Sequence, residues 1–287
     1  MVNSKSIIVV GGTGNQGGAV AKNLLENSYH VKVLTRNSDS PVAKKLNELH
    51  AEIISGDLDE PKIFSENLKD ATGIFCVLTF DDGVEKEIER GLNLINMAKE
   101  KNVKHFLYSS IAGADIESGV PIWESKHRIE NYLKKTKIPY TIIRPNLLFE
   151  TFLFPRIKNG ILNGKIASPV NKDKLQQFIA CQDIGKISVD IFSNPDKYLG
   201  KTITLGTEQF NLDQIAELFS KVLGRKIEYR KIPMLITRMV MGKDLYKMFK
   251  WVNQNNTIFL ENIEEYRMEH PDYLTFKKWI EINFKNK

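Results

Sequence analysis

The stretch VVGGTGNQGGAVA, Val9–Ala21, places five glycines within eight positions, directly after the apolar run SIIVV and directly before a helix-like pattern. Glycine weakens strand and helix interiors alike, so this density needs a reason in what the turn must hold. It reads as Gly12-x-Gly14-x-x-Gly17 or as Gly11-x-x-Gly14-x-x-Gly17. In either frame the small residues let the backbone turn tightly and approach a pyrophosphate, whose charge meets the free amides and positive dipole end of a helix. A lone glycine fingerprint is weak evidence; one that follows a strand, opens a helix and starts a strand-helix series is much stronger.

That series is present. Strands are expected at 6–10, 30–36, 51–57, 72–80, 105–110 and 139–145, with helices through 20–27, 41–50, 59–70, 84–101 and 126–136. Pro61 falls near a first helical turn, where its missing amide does no harm. Strands alternating with helices give an α/β fold, a Rossmann-type doubly wound parallel sheet, because each parallel return needs a right-handed crossover. Ligands then bind beyond the carboxyl ends of the strands, near the reversal of strand order. The rhythm breaks near residue 145, which divides the chain into a dinucleotide-binding domain at 1–145 and a smaller C-terminal α/β lobe at 146–287, the lobes interleaving and the last helix returning to the core.

The end of the second strand bears on which dinucleotide. NAD sites usually place Asp or Glu about 20 residues beyond the glycines, to accept from the ribose 2′-hydroxyl. Here the strand ends LTRNS, with Arg36 in that region and no acid before Asp39. A carboxylate repels a 2′-phosphate, whereas a guanidinium binds it through two parallel hydrogen bonds. NADP(H) is therefore the expected cofactor, with Thr35, Asn37 and Ser38 as neutral donors nearby.

GGTGNQGGAVA, the strand end LTRN, GDLDE, YSS after the fifth strand and RPNLLFET together resemble the NmrA-like family, atypical members of the short-chain dehydrogenase/reductase superfamily. The match runs in order over roughly residues 5 to 235. The resemblance implies a Rossmann domain with a small C-terminal lobe and NADP(H) between them. It also implies either a nicotinamide-dependent reductase of quinones or other small molecules, or a regulator that senses the cofactor without turnover. Carried over by position, Gly11, Thr13, Gly14, Asn15, Gln16 and Gly17 form the phosphate loop and Arg36 takes the 2′-phosphate. Asp57 and Leu58 stand where the superfamily contacts adenine, although Asp57 reads equally as a turn or cap residue. Val77 to Phe80, with Thr79, occupy the loop that walls the ribose and nicotinamide.

Reductases of the broader superfamily use Tyr-x-x-x-Lys, in which the Lys binds the nicotinamide ribose and lowers the pKa of a Tyr one turn away. Lys126 matches the Lys, but Ile122 stands where the Tyr belongs, and Tyr132 faces elsewhere. Lys126 is thus either a ribose ligand, the one candidate for catalysis, or one more exposed Lys on a basic helix. Ser109 and Ser110 fall at the position of a substrate-orienting hydroxyl, and also read as ordinary turn formers. Asp82 and Glu85 have N-cap-to-N3 spacing in DGVE, so a capping role is expected for both. The five His, at 30, 50, 105, 127 and 270, lack metal-ligand spacing, and no metal is expected.

Beyond residue 145, Phe149, Phe152 and Phe154 follow Pro145 and Asn146; in an NmrA-like chain this segment makes an apolar wall for substrate or partner, the competing reading being a helix that packs the small lobe. Amphipathic helices are expected at 181–198, at 211–223 with Gly224 as a stop, and at the C-terminus, where Leu274, Trp279 and Ile280 dock. The segment 221–250 is unusually basic, carrying nine Lys or Arg against Glu228 and Asp244. It lacks a DNA-reading module, and a solvated surface or a protein partner is expected rather than nucleic acid. Net charge is +6 and Cys76 and Cys181 lack metal or redox spacing. With no signal-like or membrane-spanning run, a cytoplasmic protein is expected, acting on a small-molecule substrate or a regulatory protein partner.

Overall fold

The computed structural model describes residues 5–60, 65–69 and 71–285. Of the helix expected at 59–70, residues 61–64, Pro61 among them, and residue 70 lie outside the described residues; Ser65–Leu68 forms a short 3-10 turn. The described chain forms two compact units, 1–115 with 123–144 and 181–203, and 116–122 with 145–180 and 204–287. The chain passes from the first unit to the second between Arg144 and Pro145, and 181–203 belongs to the first unit.

In the first unit, β1 (Ser6–Val10) is apolar, largely β-branched and buried throughout, as suits a central strand covered on both faces. It is followed by α1 (Asn15–Glu26), β2 (His30–Thr35), α2 (Pro41–Glu48), β3 (Glu52–Ser55), β4 (Gly73–Val77), α3 (Val84–Glu100), β5 (His105–Ser109), α4 (Pro121–Lys135) and β6 (Tyr140–Pro145). Helix α2 begins with Pro41 at its first turn, capped by the Ser40 hydroxyl, which accepts from the Ala43 amide at 3.2 Å. Helix α4 starts five residues earlier than expected, opening on Pro121, whose missing amide is one the first turn leaves unpaired in any case.

The second unit takes up β7 (Leu147–Leu148), α5 (Pro155–Leu162), β8 (Lys165–Ser168) and β9 (Gln176–Ile179). The chain then supplies α6 (Cys181–Ser193), α7 (Pro195–Tyr198) and β10 (Thr202–Leu205). The helix expected over 181–198 is thus two helices, since Pro195 cannot continue α6 and instead opens α7. The remainder is β11 (Glu208–Phe210), α8 (Leu212–Leu223), β12 (Glu228–Lys231), α9 (Met234–Gln254), α10 (Ile263–Glu269) and α11 (Phe276–Ile280). Helix α8 is closed by an Asn211–Gln214 capping box and by Gly224 in the left-handed conformation, the stop expected from the sequence. Helix α9 is broken at Gly242.

The large sheet has the order β10-β6-β5-β4-β1-β2-β3, and β3, β2, β1, β4, β5 and β6 pair in parallel. The chain therefore winds outward one way from β1 and the other way from β4, which puts the topological switch point between them. A core of Ile8, Val10, Ile74, Leu94, Phe106 and Ile142, among others, fixes this sheet against its helices. In the second unit Phe149, Phe152, Phe178, Phe219, Phe276 and Trp279 form one aromatic cluster, with Phe149 and Phe276 ring centroids 4.8 Å apart. Trp279 and Ile280 dock as expected, while Leu274 is half-buried and precedes α11.

Candidate functional site

The glycine turn lies between β1 and α1, beside the switch point. Gly11 has φ 76°, and a Cβ there would lie 2.7 Å from the Val77 carbonyl oxygen. A Cβ on Gly17 would lie 2.2 Å from the Gly11 carbonyl oxygen, so this glycine is what lets α1 press on the turn. Folding explains both residues. Gly14 is less constrained: it is exposed, and a Cβ there would meet only the Gly11 carbonyl oxygen, at a tight 3.3 Å. Gly14 is the N-cap of α1, no side chain caps the helix there, and its first turn carries no acid. An open, uncapped helix start at the carboxyl end of a central strand is the arrangement that receives an anionic group. Thr13 and Gln16 are half-buried beside it and Asn15 is exposed. The Ser109 hydroxyl at the end of β5 donates to Gln16 Oε1 at 2.8 Å, tying the first turn of α1 to the sheet.

Around this turn stand the ends of β2, β3 and β4. Arg36, one residue past β2, is exposed, and its Nη1 lies 3.6 Å from Asp82 Oδ2. Thr35 and Asn37 are already used within their own turn, the Thr35 hydroxyl accepting from the Asn37 amide at 3.1 Å and Asn37 Oδ1 from the Asp39 amide at 3.1 Å. Asp57 Oδ1 accepts from the Asp59 amide at 3.0 Å, a turn-forming bond, and Leu58 is buried in the core. Thr79, past β4, is exposed.

The capping role expected for Asp82 and Glu85 is not what forms. Gly83, at φ 97°, is the N-cap of α3, and no side chain caps that helix. Asp82 therefore stands one residue before the cap, too early to reach the amides of the first turn. Its carboxylate instead pairs with Arg90 and Arg36, and the Arg90 guanidinium beside it holds its carboxyl below the usual range. Glu85 faces Arg128 at 3.4 Å.

Lys126 is not the exposed lysine that one reading allowed. It is buried on α4, and its ammonium lies 2.6 Å from Glu87 Oε1, donates to the Leu78 carbonyl at 2.7 Å and sits 5.9 Å from the Tyr108 ring centroid. Glu87 is wholly buried on α3, and its second oxygen accepts from the Ser125 hydroxyl at 2.6 Å. Sequence reading missed Glu87, although a signal existed: it lies on the same face as the buried Gly91, Leu94, Ile95 and Ala98, a charge inside an apolar stripe. Ile122, one turn before Lys126, is buried. Ser110 is buried too, and its hydroxyl has no hydrogen-bond partner among the described residues. Burial pushes the Tyr108 phenol well above its ordinary value, and that phenol likewise lacks a hydrogen-bond partner there.

Phe149 and Phe152 do not form an exposed apolar wall. Both are interior to the second unit's aromatic cluster, and only Phe154 is exposed. Their reach into that core removes them from any surface that a substrate would touch. Among the described residues no group of three or more His, Cys, Asp or Glu lies close enough to hold a metal ion, and no helix is long and apolar enough to cross a membrane.

The sheet order and the glycine turn at its switch point define a Rossmann-type fold. The sequence signature of the NmrA-like family matches residues 3–280, and the chain belongs to that family. An NmrA-like family domain-containing protein of Dictyostelium discoideum is 30% identical over 246 residues, covering 80% of this chain and 81% of its own. Among solved structures, NmrA, a negative transcriptional regulator, in complex with NADP has a TM-score of 0.79 at 19% identity, with 98% of this chain and 96% of the other covered. The triphenylmethane reductase of Citrobacter sp. complexed with NADP(H) has a TM-score of 0.79 at 18% identity, covering 96% of this chain and 99% of the other.

Proposed function

We propose that the chain binds NADP(H) and uses it to reduce a quinone-like or other small electrophilic substrate. The observation that carries the reading is the start of α1 at Gly14, which is exposed, uncapped by any side chain and free of acids in its first turn. The cradle fits a pyrophosphate, and Arg36 with no acid at the end of β2 fits a 2′-phosphate. In this reading Gly11, Thr13, Gly14, Asn15, Gln16 and Gly17 hold the pyrophosphate, Arg36 the 2′-phosphate, Asp57 and Leu58 the adenine side, and Thr79 and Lys126 the nicotinamide ribose. NmrA is solved with NADP and with NAD, and the triphenylmethane reductase with NADP(H), which supports a nicotinamide dinucleotide as the ligand and leaves the choice of NADP(H) to Arg36.

When bound, NADPH supplies a hydride. Lys126 holds its charge between Glu87 and the Leu78 carbonyl, so it braces the loop past β4. The side chain at 122 offers no proton, and the reduction of a quinone draws its protons from solvent. Purified protein with NADPH and a panel of quinones and aldehydes, followed by NADPH absorbance, tests this: oxidation with at least one quinone is expected.

A second reading, a regulator that senses NADP(H) through a protein partner, is favoured by Ile122 in the position of the phenol and by the pairing of Lys126 with Glu87. Tight NADPH binding with no oxidation across the panel selects it. The buried thiols of Cys76 and Cys181 suit a reducing compartment, and we place the protein in the cytoplasm.

A further inference from the structure

Arg36 is the most exposed member of a chain of charges that runs across the carboxyl ends of β2, β1 and β4. At its buried end Arg90, on α3, is clamped to Asp59 by two bonds, Nε to Oδ1 at 2.9 Å and Nη2 to Oδ2 at 2.8 Å. Arg90 Nη1 also reaches Asp82 Oδ2, and the same oxygen lies 3.6 Å from Arg36 Nη1. The Arg90 side chain is 11% exposed and that of Arg36 65%. Asp82 is thus held from one side by a largely buried guanidinium and faces an exposed one on the other. Because the sheet order is β3-β2-β1-β4, the contact from Arg36 to Asp82 passes over the end of β1, where the glycine turn begins.

We propose that Asp82 tempers the NADP(H) preference of this protein by competing with the cofactor's 2′-phosphate for the Arg36 guanidinium. This rests on the reading of Arg36 as the 2′-phosphate ligand. NADP(H) must draw Arg36 away from Asp82, whereas NAD(H) makes no demand on Arg36 and leaves the pair intact. Asp82 therefore weakens NADP(H) binding and leaves NAD(H) binding unchanged. The contact is longer than a hydrogen bond and exposed, so the handicap is the size of a surface ion pair and is screened by salt.

Isothermal titration calorimetry with NADP+ and with NAD+, at low and at high ionic strength, tests the competition on the full chain carrying Asp82→Asn, Arg36→Ala or both. The ratio of NADP+ to NAD+ affinity is expected to rise roughly two- to five-fold in Asp82→Asn at low salt, to rise less at high salt, and not to rise when Asp82→Asn is added to Arg36→Ala. An unchanged ratio in Asp82→Asn, in a protein whose ratio collapses in Arg36→Ala, overturns the competition while leaving the 2′-phosphate reading in place. A rise that persists on top of Arg36→Ala also overturns it, since the gain then comes from relieved repulsion or from Arg90. A ratio untouched by Arg36→Ala removes the 2′-phosphate reading itself, and the competition with it. Urea midpoints of each variant verify that the ratios compare folded proteins.

Discussion

Glu87 and Lys126 meet at 2.6 Å inside the first unit, with Glu87 wholly buried and the Lys126 side chain 7% exposed. The pair joins α3 to α4, and through the Leu78 carbonyl it joins both to the loop past β4. A charge buried without its partner is far more costly than the pair is beneficial. Lys126→Met is therefore expected to destabilise the protein by about 3–5 kcal/mol, read as a lower urea midpoint, with Glu87→Leu/Lys126→Met recovering most of the loss. A Lys126→Met protein as stable as its parent contradicts the pairing. The same argument means that activity lost in a Lys126 variant counts as chemistry only after its stability has been measured.

Gly14 and Gly17 separate binding from folding. Gly17→Ala drives a methyl group to 2.2 Å from the Gly11 carbonyl oxygen, and the forced backbone shift is expected to cost about 3 kcal/mol. Gly14→Ala meets only one backbone oxygen, at 3.3 Å, and replaces a favoured N-cap residue, so it is expected to cost about 1 kcal/mol, well below Gly17→Ala, while weakening NADP+ at least several-fold by calorimetry. Equal stability losses in the two variants count against assigning Gly14 to ligand approach.

His105 makes stability fall in acid. Its Nε2 lies 2.8 Å from the Thr141 hydroxyl oxygen, which itself donates to the Tyr198 carbonyl. Nε2 must then donate, leaving Nδ1 bare and without a partner among the described residues. Burial pushes the ring down to about 4 from its ordinary 6.5. The unfolded chain takes up this proton first, so the contribution is complete above 6.5 and is lost as the pH falls from there toward 4. It amounts to about 3 kcal/mol at most. Urea midpoints at about pH 7.5 and about pH 4.5 are expected to differ less in His105→Gln than in the parent.

Phe152 and Phe154 are expected to part company. Phe152→Ala opens a cavity in the aromatic cluster and should cost about 3–5 kcal/mol, whereas Phe154, 53% exposed, should cost under about 0.5 kcal/mol. Thermal denaturation of the two variants checks this, and a stability-neutral Phe152→Ala places that ring outside the core.

What was legible in the sequence is what is local. The strand SIIVV, the glycines after it and the helix after them lie within about two dozen residues, and each constrains the next through backbone geometry alone. Pairings between distant segments were not legible. Glu87 and Lys126 are separated by most of α3, β5 and the start of α4, and nothing near either residue announces the other. The cap expected of Asp82 failed by one position: DGVE carries the right spacing, but Gly83 takes a positive φ and starts the helix a residue later. The two readings of Phe149 and Phe152, apolar wall or lobe packing, stayed open in the sequence for a related reason. Their partners Phe219, Phe276 and Trp279 come from α8 and α11, far along the chain, so the local run of large apolar residues could not by itself decide for packing.

The most direct test of the account is the affinity of the parent and of Arg36→Ala for NADP+ and NAD+, measured by calorimetry. The parent is expected to bind NADP+ more tightly than NAD+, and Arg36→Ala to lose at least tenfold in NADP+ affinity, about 1.4 kcal/mol, with NAD+ unchanged. A variant that keeps the parent's NADP+ to NAD+ ratio, or a parent that binds neither dinucleotide, contradicts it.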